Sequence, residues 1–320
     1  MKKLLALAMA AVMALGLFGC SSKPADDAAY PAKDLEIVIP YKVGGTTDLA
    51  VRGVLDSVSK DVFNKAITVT NTVGGSGLIG TEEFLSHDAD GYTLGLVNCD
   101  LVLNNVSGAT DIVPSERMIP LAAVEQDPYM MLASKNADFT TFAEFIEQAQ
   151  ANPGKLAVGV TGVGTVPNLM GTILLQAGLD VRVIPYDSAP DAVAAVMAGE
   201  SDMCISAMAG AVGQIDSGDL IPMAVTTLER SQALPEVPTM AEVSDLFADV
   251  NLLSWIMIAL PAGTDASIVE FWQNALADAV VSESYAATRE SFYFEPITIK
   301  NTELETFIAD QAAYYQELVG

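Results

Sequence analysis

Short apolar runs rich in β-branched residues alternate along this chain with segments of helical periodicity. The runs have the length of buried strands and recur throughout the sequence after residue 30. They cover residues 35–40, 66–70, 92–98, 156–160, 181–185, 223–226 and 255–259. Alternation of this kind predicts an α/β fold built on mostly parallel sheets flanked by helices.

Helical segments lie between many of these runs. Apolar residues fall on one face in the segments 139–149, 268–276 and 304–318. Thr264 or Asp265 is a suitable N-cap for the second of these helices, and the third is predicted to begin near Asn301. No internal repeat or low-complexity tract is visible in the sequence.

Three glycine-rich loops stand where a strand passes into a helix. They span residues 40–48, 71–82 and 159–168. Glycine lets backbone N–H groups approach a ligand closely, and a helix start adds unpaired donors with a partial positive charge. Such loops can hold a carboxylate or phosphate without a basic side chain. Each loop alone is equally consistent with a tight turn, but three together favour a shared site at the carboxyl ends of the strands.

The sequence gives little support for a nucleotide-binding site or a catalytic site. Residues 75–80 match G-x-G-x-x-G, but a lone match of this motif is weak evidence. Neither early loop fits G-x-x-x-x-G-K-[ST], and no serine stands in a G-x-S-x-G elbow. The single histidine, His87, is expected on the surface at a helix end. We therefore expect a protein without a catalytic centre, cofactor or metal.

The excess of acidic residues excludes some classes of binding partner. Of 320 residues, 41 are acidic and 15 are basic, which gives a formal net charge of −26. Nucleic acids and anionic lipid surfaces would be repelled by such a protein. A clamp of several arginines around a small anion is also not expected, because arginine is scarce. A bound anion would therefore be held mainly by backbone amides, hydroxyls and water.

Residues 1–19 are predicted to be a signal peptide. Lys2 and Lys3 precede an apolar run over residues 4–18, shorter than the roughly 20 residues of a membrane-spanning helix. Residues 17–22 read Leu-Phe-Gly-Cys-Ser-Ser and resemble a bacterial lipobox, in which Cys20 receives a diacylglycerol. Residues 20–30 would then be a lipidated tether that holds the protein outside the cytoplasm. An ordinary signal peptide with an incidental Cys20 is the alternative.

Two further cysteines, Cys99 and Cys204, occur in the chain. An exported protein could join them in a disulfide, but their spacing alone does not show one. Two separate buried thiols are the expected arrangement.

Five blocks of residues follow one another in a specific order. Tyr30-Pro31 with residues 37–41 and 44–48 is similar to an opening strand followed by a P-F-x-P-G-G-x-T-D loop. The other blocks comprise residues 74–94, 185–202, 224–239 and 255–264. Together they resemble the extracytoplasmic solute receptors of tripartite tricarboxylate transporters, the Bug-type or TctC-like family. The resemblance covers the chain from Tyr30 to its C-terminus.

This resemblance implies a two-lobed clamshell of the periplasmic-binding-protein type, with a small ligand between the lobes. Residues 31–127 and 254–320 would form the first lobe, and residues 128–253 the second. The crossovers are expected near Asp127 and Pro128 and near Ser254. A receptor of this family is not an enzyme, and it delivers its ligand to a membrane permease.

Ligand contacts are implied position by position. They would be Tyr41, Gly44, Gly45, Thr46, Thr47, Asp48, Gly75, Ser76 and Gly77 in the first lobe, and Thr161, Gly164, Thr165, Asn168, Tyr186 and Asp202 in the second. Structural alternatives stay open for three of them. Asp48 could bond its own helix start, Asp202 could belong to a turn at a strand edge, and Tyr186 could be a packed aromatic residue.

The chain departs from the family pattern in three places. Lys42 and Val43 stand where a small residue and a proline are usual, Asn168 replaces a frequent histidine, and residues 187–189 read Asp-Ser-Ala instead of Lys-Gly-Gly. Lys42 could contact an anionic ligand or be an exposed lysine at the edge of the loop. Asp187 could attract an amino group, so an amino acid remains open as the ligand.

The sequence therefore predicts a lipid-anchored receptor that binds a di- or tricarboxylate, or a related organic acid, and passes it to a tripartite transporter permease. The alternative is the same module with an amino acid or another ligand, acting as a sensor for a signalling partner. An exported enzyme is a third hypothesis. It would need a nucleophile–base pair or a metal site, and the sequence assembles neither.

Overall fold

The computed structural model describes residues 30–61 and 65–320. The predicted signal peptide, Cys20 and residues 21–29 of the tether lie outside the described residues. Lys33–Gly320 forms one compact unit, and residues 30–32 contain neither helix nor strand. Within the described ranges, no helix combines the length and the apolar character needed to cross a membrane.

Nine strands of this unit form one sheet. They are β1 (Leu35–Ile39), β2 (Ile67–Asn71), β3 (Thr93–Asn98), β4 (Met118–Ser134), β5 (Ala157–Thr161), β6 (Arg182–Tyr186), β7 (Met203–Ala207), β8 (Leu220–Val225) and β9 (Leu253–Pro261). Their order is β2-β1-β3-β9-β4-β7-β5-β6, and β8 also pairs with β4. The predicted α/β class is confirmed, and each predicted strand overlaps one of these.

Helices follow most of the strands. They are α1 (Thr46–Asp61), α2 (Leu78–Leu85), α3 (Cys99–Val106), α4 (Pro114–Arg117), α5 (Phe142–Ala151), α6 (Val166–Gln176), α7 (Ala189–Ala198), α8 (Val212–Asp216), α9 (Met240–Val243), α10 (Ala266–Val280), α11 (Glu283–Phe292) and α12 (Leu304–Val319). The three helices predicted from apolar periodicity are α5, α10 and α12. Asp265 is the N-cap of α10, where its side chain accepts the N–H of Ser267.

The 17-residue strand β4 joins the two ends of the sheet. From Met118 to Pro128 it pairs with β9, and from Tyr129 onwards it pairs with β7 and β8. This exchange of partners occurs where the first lobe crossover is predicted. The lobe boundaries themselves stay a prediction.

The sheet is mixed, whereas the sequence predicted mostly parallel strands, because β4 and β9 run antiparallel to their neighbours. The β1–β2, β1–β3, β5–β6 and β5–β7 pairs are parallel, whereas all pairs that include β4 or β9 are antiparallel. Two groups of parallel strands thus stand on either side of an antiparallel centre. The glycine-rich loops follow β1, β2 and β5, so they leave the carboxyl ends of parallel strands.

The two described cysteines are separate thiols. Cys99 begins α3 and Cys204 lies in β7; both are free and buried. The prediction of two buried thiols is therefore confirmed for these residues.

Candidate functional site

A large cavity opens among the carboxyl ends of the parallel strands. Its volume is about 640 Å³, which is in the range of small-molecule sites. The loops after β1, β2, β5 and β6 form its walls, together with the ends of β3 and β7. The sequence-predicted residues in this lining are Tyr41, Gly45, Thr46, Thr47, Gly75, Ser76, Gly77, Thr161, Thr165 and Tyr186.

The start of α1 brings unpaired hydrogen-bond donors to this cavity. Thr46 and Thr47 are the first residues of the helix and line the cavity, and N–H groups at this position have no acceptor within a helix. Thr46 Oγ1 is buried and has no hydrogen-bond partner among the described residues. Leaving a buried polar group unpaired costs free energy. A ligand oxygen placed here would remove that cost.

Asp48 holds the first loop in shape and lies outside the cavity lining. Its Oδ2 accepts the N–H of Gly44 at 3.0 Å, and its Oδ1 accepts from Arg52 Nε at 2.9 Å and from Asn71 Nδ2 at 3.0 Å. Asn71 also donates to the carbonyl oxygen of Tyr41. These bonds favour the structural alternative for Asp48. Gly44, whose N–H is used here, is also absent from the described lining.

The second loop has an unusual backbone. Gly74, Gly75, Ser76 and Gly77 have φ angles of 135°, 56°, 54° and 95°. Glycine adopts such angles freely, whereas a left-handed residue with a side chain costs about 1–2 kcal/mol. Ser76 offsets this cost with a hydrogen bond from its Oγ to the carbonyl oxygen of Val163 at 2.5 Å. That bond joins the second loop to the third.

The third loop lines the cavity, but the start of α6 has few donors left for a ligand. The N–H of Val166 is donated to Asp100 Oδ1 at 2.9 Å, and the N–H of Asn168 is donated to Thr165 Oγ1. Pro167, between them, has no N–H. Asn168 and Gly164 are not among the described lining residues. The three loops therefore contribute unequally: the start of α6 has little left to offer, whereas α1 combines backbone N–H groups with the unpartnered Thr46 Oγ1.

Tyr186 and Asp202 stand at opposite ends of the parallel strands β5, β6 and β7: Tyr186 at a carboxyl end and Asp202 just before the first residue of β7. Tyr186 ends β6 and lines the cavity, with its hydroxyl 3.0 Å from Ser201 Oγ. Asp202 Oδ2 accepts the N–H of Ala157 at 2.7 Å. Ala157 begins β5, whereas Thr161 at the other end of that strand lines the cavity. The position of Asp202 favours its structural alternative.

Sequence reasoning missed the residues around the floor of the cavity. They are Asn98, Cys99, Asp100, Tyr129, Ser206, Ala207, Ser254 and Ile256. Strand β3 enters α3 without a glycine, and the apolar runs do not predict β4 or β7. The Asn98 side chain accepts the N–H of Leu101 as the N-cap of α3. An N-cap directly after a strand was the one available signal.

Asp100 is the central charged group of this floor. It is 8 % exposed, and its Oδ2 accepts the hydroxyl of Tyr41 at 3.0 Å. Tyr41 in turn accepts from Asn98 Nδ2 at 2.7 Å. Burial raises the pKa of Asp100 to about 6, although hydrogen bonds from Val166, Tyr41 and Cys99 lower it. Asp100 forms no salt bridge with any residue of the described ranges.

Lys42 links the first loop to the start of α7. Its Nζ lies 2.7 Å from Asp191 Oδ2. The hydrogen bond to Asp191 raises the pKa of Lys42, and the same bond, with one from Ser188, lowers the pKa of Asp191. Lys42 and Asp187 both line the cavity. Lys42 is thus partly neutralised by the protein itself.

A ligand-sized cavity beside helix starts, within a mixed α/β sheet, is typical of solute-binding receptors of the periplasmic-binding-protein type. The chain belongs to the tripartite tricarboxylate transporter family receptors, whose family model matches residues 50–320. The resemblance inferred from the sequence is thereby confirmed. Members of this family are receptors, so the chain is a binding protein and not an enzyme.

Individual relatives match almost the whole chain. Protein BugT of Bordetella pertussis is 27% identical over 295 residues, which cover 90% of this chain and 89% of that protein. A solved structure of a periplasmic transporter has a TM-score of 0.84 and 26% identity, and it covers 91% of this chain and 97% of its own. MatC from Rhodopseudomonas palustris with bound malate has a TM-score of 0.82 and 20% identity, over 91% and 100% of the two chains.

Proposed function

We propose that this protein is an extracytoplasmic receptor that captures a small organic carboxylate in the cavity and delivers it to the membrane permease of a tripartite transporter. One observation carries the binding role. The start of α1 presents the N–H groups of Thr46 and Thr47, together with the unpartnered Thr46 Oγ1. A helix start with free donors favours an anionic oxygen.

The charges of the lining support recognition by amides and hydroxyls. The charged residues in the described lining are Lys42, Asp100 and Asp187, and none is an arginine. Lys42 is already bound to Asp191. A ligand carboxylate would therefore rely on α1 and the glycine loops. Bound malate in MatC makes dicarboxylates the first ligands to test.

Binding is proposed to close two lobes, residues 31–127 with 254–320 and residues 128–253. Contacts that link the proposed lobes beside the cavity include Lys42 with Asp191, Ser76 with the carbonyl oxygen of Val163, and Asp100 with the N–H of Val166. A ligand that contacts both sides would favour the closed arrangement through its differential affinity. The remaining implied contacts, including Gly44, Gly164 and Asn168, stay part of this proposal only as supports of the loops.

The protein is also proposed to be exported and anchored to the membrane by a lipid. The signal peptide would be removed before Cys20, and a lipid on Cys20 would hold the receptor on the outer face of the cytoplasmic membrane. Labelling with a radioactive fatty acid tests this step. Wild-type protein should incorporate the label, and Cys20→Ala should not. Equal labelling of both would contradict the proposed anchor.

Thermal unfolding against a panel of di- and tricarboxylates, other organic acids and amino acids tests the binding role. A ligand at 100 times its Kd should stabilise the protein by about 2.7 kcal/mol. Failure of the whole panel to stabilise the protein would contradict the proposal.

Thr46→Val tests the site with a side chain of similar shape. A hydrogen bond to a charged group contributes about 1.5–3 kcal/mol, so affinity should fall by at least about tenfold. The free protein should be as stable as wild type or more stable, because Thr46 Oγ1 has no partner to lose among the described residues. Thr172→Val, at an exposed threonine of α6, is the matched control and should bind normally. Unchanged affinity in Thr46→Val would show that Thr46 Oγ1 does not bind the ligand.

A further inference from the structure

Two groups of cavity-lining residues differ in hydrogen-bonding character. The start of α1 offers donors, as described for Thr46 and Thr47. The floor and the adjacent Tyr41 offer acceptors, because several of their hydroxyl hydrogens are already donated to protein groups. Tyr41 donates its hydroxyl to Asp100 at 3.0 Å, Ser206 donates to the carbonyl oxygen of Ala207 at 3.0 Å, and Ser254 donates to Glu125 at 3.1 Å.

Asp100 has acceptor capacity left over. Each oxygen of a carboxylate can accept about two hydrogen bonds. Oδ2 accepts one from Tyr41 and Oδ1 accepts one from Val166 at 2.9 Å, with a long contact of 3.9 Å from Cys99 Sγ. Asp100 lines the cavity and has no cationic partner in the described part of the chain. A buried carboxylate without a cation is costly unless a partner arrives with the ligand.

We infer that Asp100 is a specificity-determining residue, and that the ligand carries a cationic amine, in addition to its carboxylate, that contacts Asp100. This inference rests on the proposed binding function and deepens it. The carboxylate would contact the donors of α1, and the amine would contact Asp100. A plain dicarboxylate would place a second negative charge in a lining that holds Asp100 and Asp187. Such like charges repel each other in a site of low polarity.

Isothermal titration with pairs of acids that differ only in the amine tests this inference. Succinate is compared with aspartate, and glutarate with glutamate. For the wild-type protein, the aminated member of at least one pair should bind at least ten times more tightly. This comparison needs no variant. Equal or tighter binding of the plain acids would overturn the inference.

Asp100→Asn then identifies the residue responsible. Asparagine keeps the shape and an acceptor oxygen for Val166, so thermal unfolding should show a folded protein. The preference for the aminated member should fall at least tenfold, while binding of the plain acid stays equal or becomes tighter. Asp187→Asn, at the other acidic lining residue, is the comparison. Loss of the preference in Asp187→Asn, but not in Asp100→Asn, would overturn the role of Asp100.

Failure of the receptor function and failure of the amine contact with Asp100 give different binding results. If no member of any pair and no other carboxylate binds, the proposed receptor function fails, and the inference fails with it. If plain and aminated acids bind equally, only the inference fails. Measured affinities therefore separate the two.

Discussion

Asp100 Oδ1 accepts the N–H of Val166, the first residue of α6, at 2.9 Å. A carboxylate of the protein thus occupies the helix start that follows the third glycine-rich loop. Helix starts favour anions of any origin, including protein side chains. The internal acid uses a donor at the start of α6, and it places a negative charge on the cavity floor. On the proposed function, a ligand carboxylate would therefore meet fewer free donors at the start of α6 than at the start of α1.

The network around Asp48 should be needed for stability and for binding. Asp48→Ala would leave the N–H of Gly44 and the side chains of Arg52 and Asn71 without their acceptor. The free energy of unfolding should fall by about 1–3 kcal/mol, as measured by urea denaturation. Ligand affinity should fall too, because the donors of α1 lose their fixed position. Asp56→Ala, at an exposed residue of the same helix, should change neither quantity, and equal effects of the two variants would refute this role.

Gly80 allows α2 to approach the first loop closely. A Cβ at this position would lie 2.5 Å from the carbonyl oxygen of Thr72 and 2.7 Å from Pro40 Cα, and neither backbone atom can move freely. Gly80→Ala should therefore reduce the free energy of unfolding by about 1–3 kcal/mol, and weaken binding because Pro40 lines the cavity. Gly213→Ala, in α8 with no atom within 4 Å of its Cβ, is the control. It should leave stability equal or higher, and a stable Gly80→Ala would show that α2 can shift.

The sequence predicted the α/β class, the loops and the family, because these depend on local patterns. It did not predict β4, where Pro120, Glu125, Asp127 and Pro128 interrupt an apolar run. Proline inside a run argues against a strand, and acidic residues are rarely buried. In the structure Glu125 and Asp127 are 0% and 1% exposed. Their burial depends on tertiary packing that a local pattern does not contain.

The candidate site also combines features that the sequence predicts with features that depend on tertiary packing. The glycine loops could be found because glycine marks strained turns. The sequence does not show which donors of these loops remain free. The N–H of Val166, for example, is taken by Asp100, which lies 66 residues away in the chain. Whether a helix start is available to a ligand depends on such distant partners. The sequence therefore indicates where a site lies, and the structure shows which of its groups are unoccupied.

The salt bridge between Lys42 and Asp191 should slow release of the ligand. Both side chains are about half exposed, at 42% and 45%, so the pair is screened by salt and adds little to stability. Lys42→Met should raise the dissociation rate measured by stopped flow, and added salt should accelerate release more in wild type than in the variant. Lys135→Met removes a similar bridge to Asp219 at 2.6 Å, outside the described lining, and should leave the rate unchanged. An unaltered rate in Lys42→Met would exclude the bridge as a closing contact.

The buried acids of β4 should make the protein more stable at mildly acidic pH. Glu125 Oε2 accepts from Ser254, and Asp127 Oδ1 accepts the N–H of Glu295 at 2.6 Å. Neither acid forms a salt bridge within the described residues. Burial raises the pKa of Asp127 to about 7, and burial together with Asp127 raises the pKa of Glu125. The folded protein thus keeps protons that the unfolded chain releases near its ordinary pKa values of about 4.

The protons that the folded protein keeps determine how its free energy of unfolding changes with pH. Between about pH 4 and pH 7 the folded state binds more protons than the unfolded state, so the free energy of unfolding falls as the pH rises through this window. The stabilisation is complete below the pKa of the unfolded chain, and each tenfold difference in proton affinity between the two states corresponds to about 1.4 kcal/mol. Protonation also relieves the repulsion among surface acids at a net charge of −26, and this likewise makes the protein more stable at lower pH. The pH dependence of the wild type therefore has two sources, which a variant can separate.

Asp127→Asn, which keeps an acceptor for Glu295, should weaken the pH dependence of the free energy of unfolding between pH 5 and pH 7.5, as measured by urea denaturation. Asp310→Asn, at an exposed acid of α12, should keep it, and equal slopes in both variants would assign the effect to surface charge.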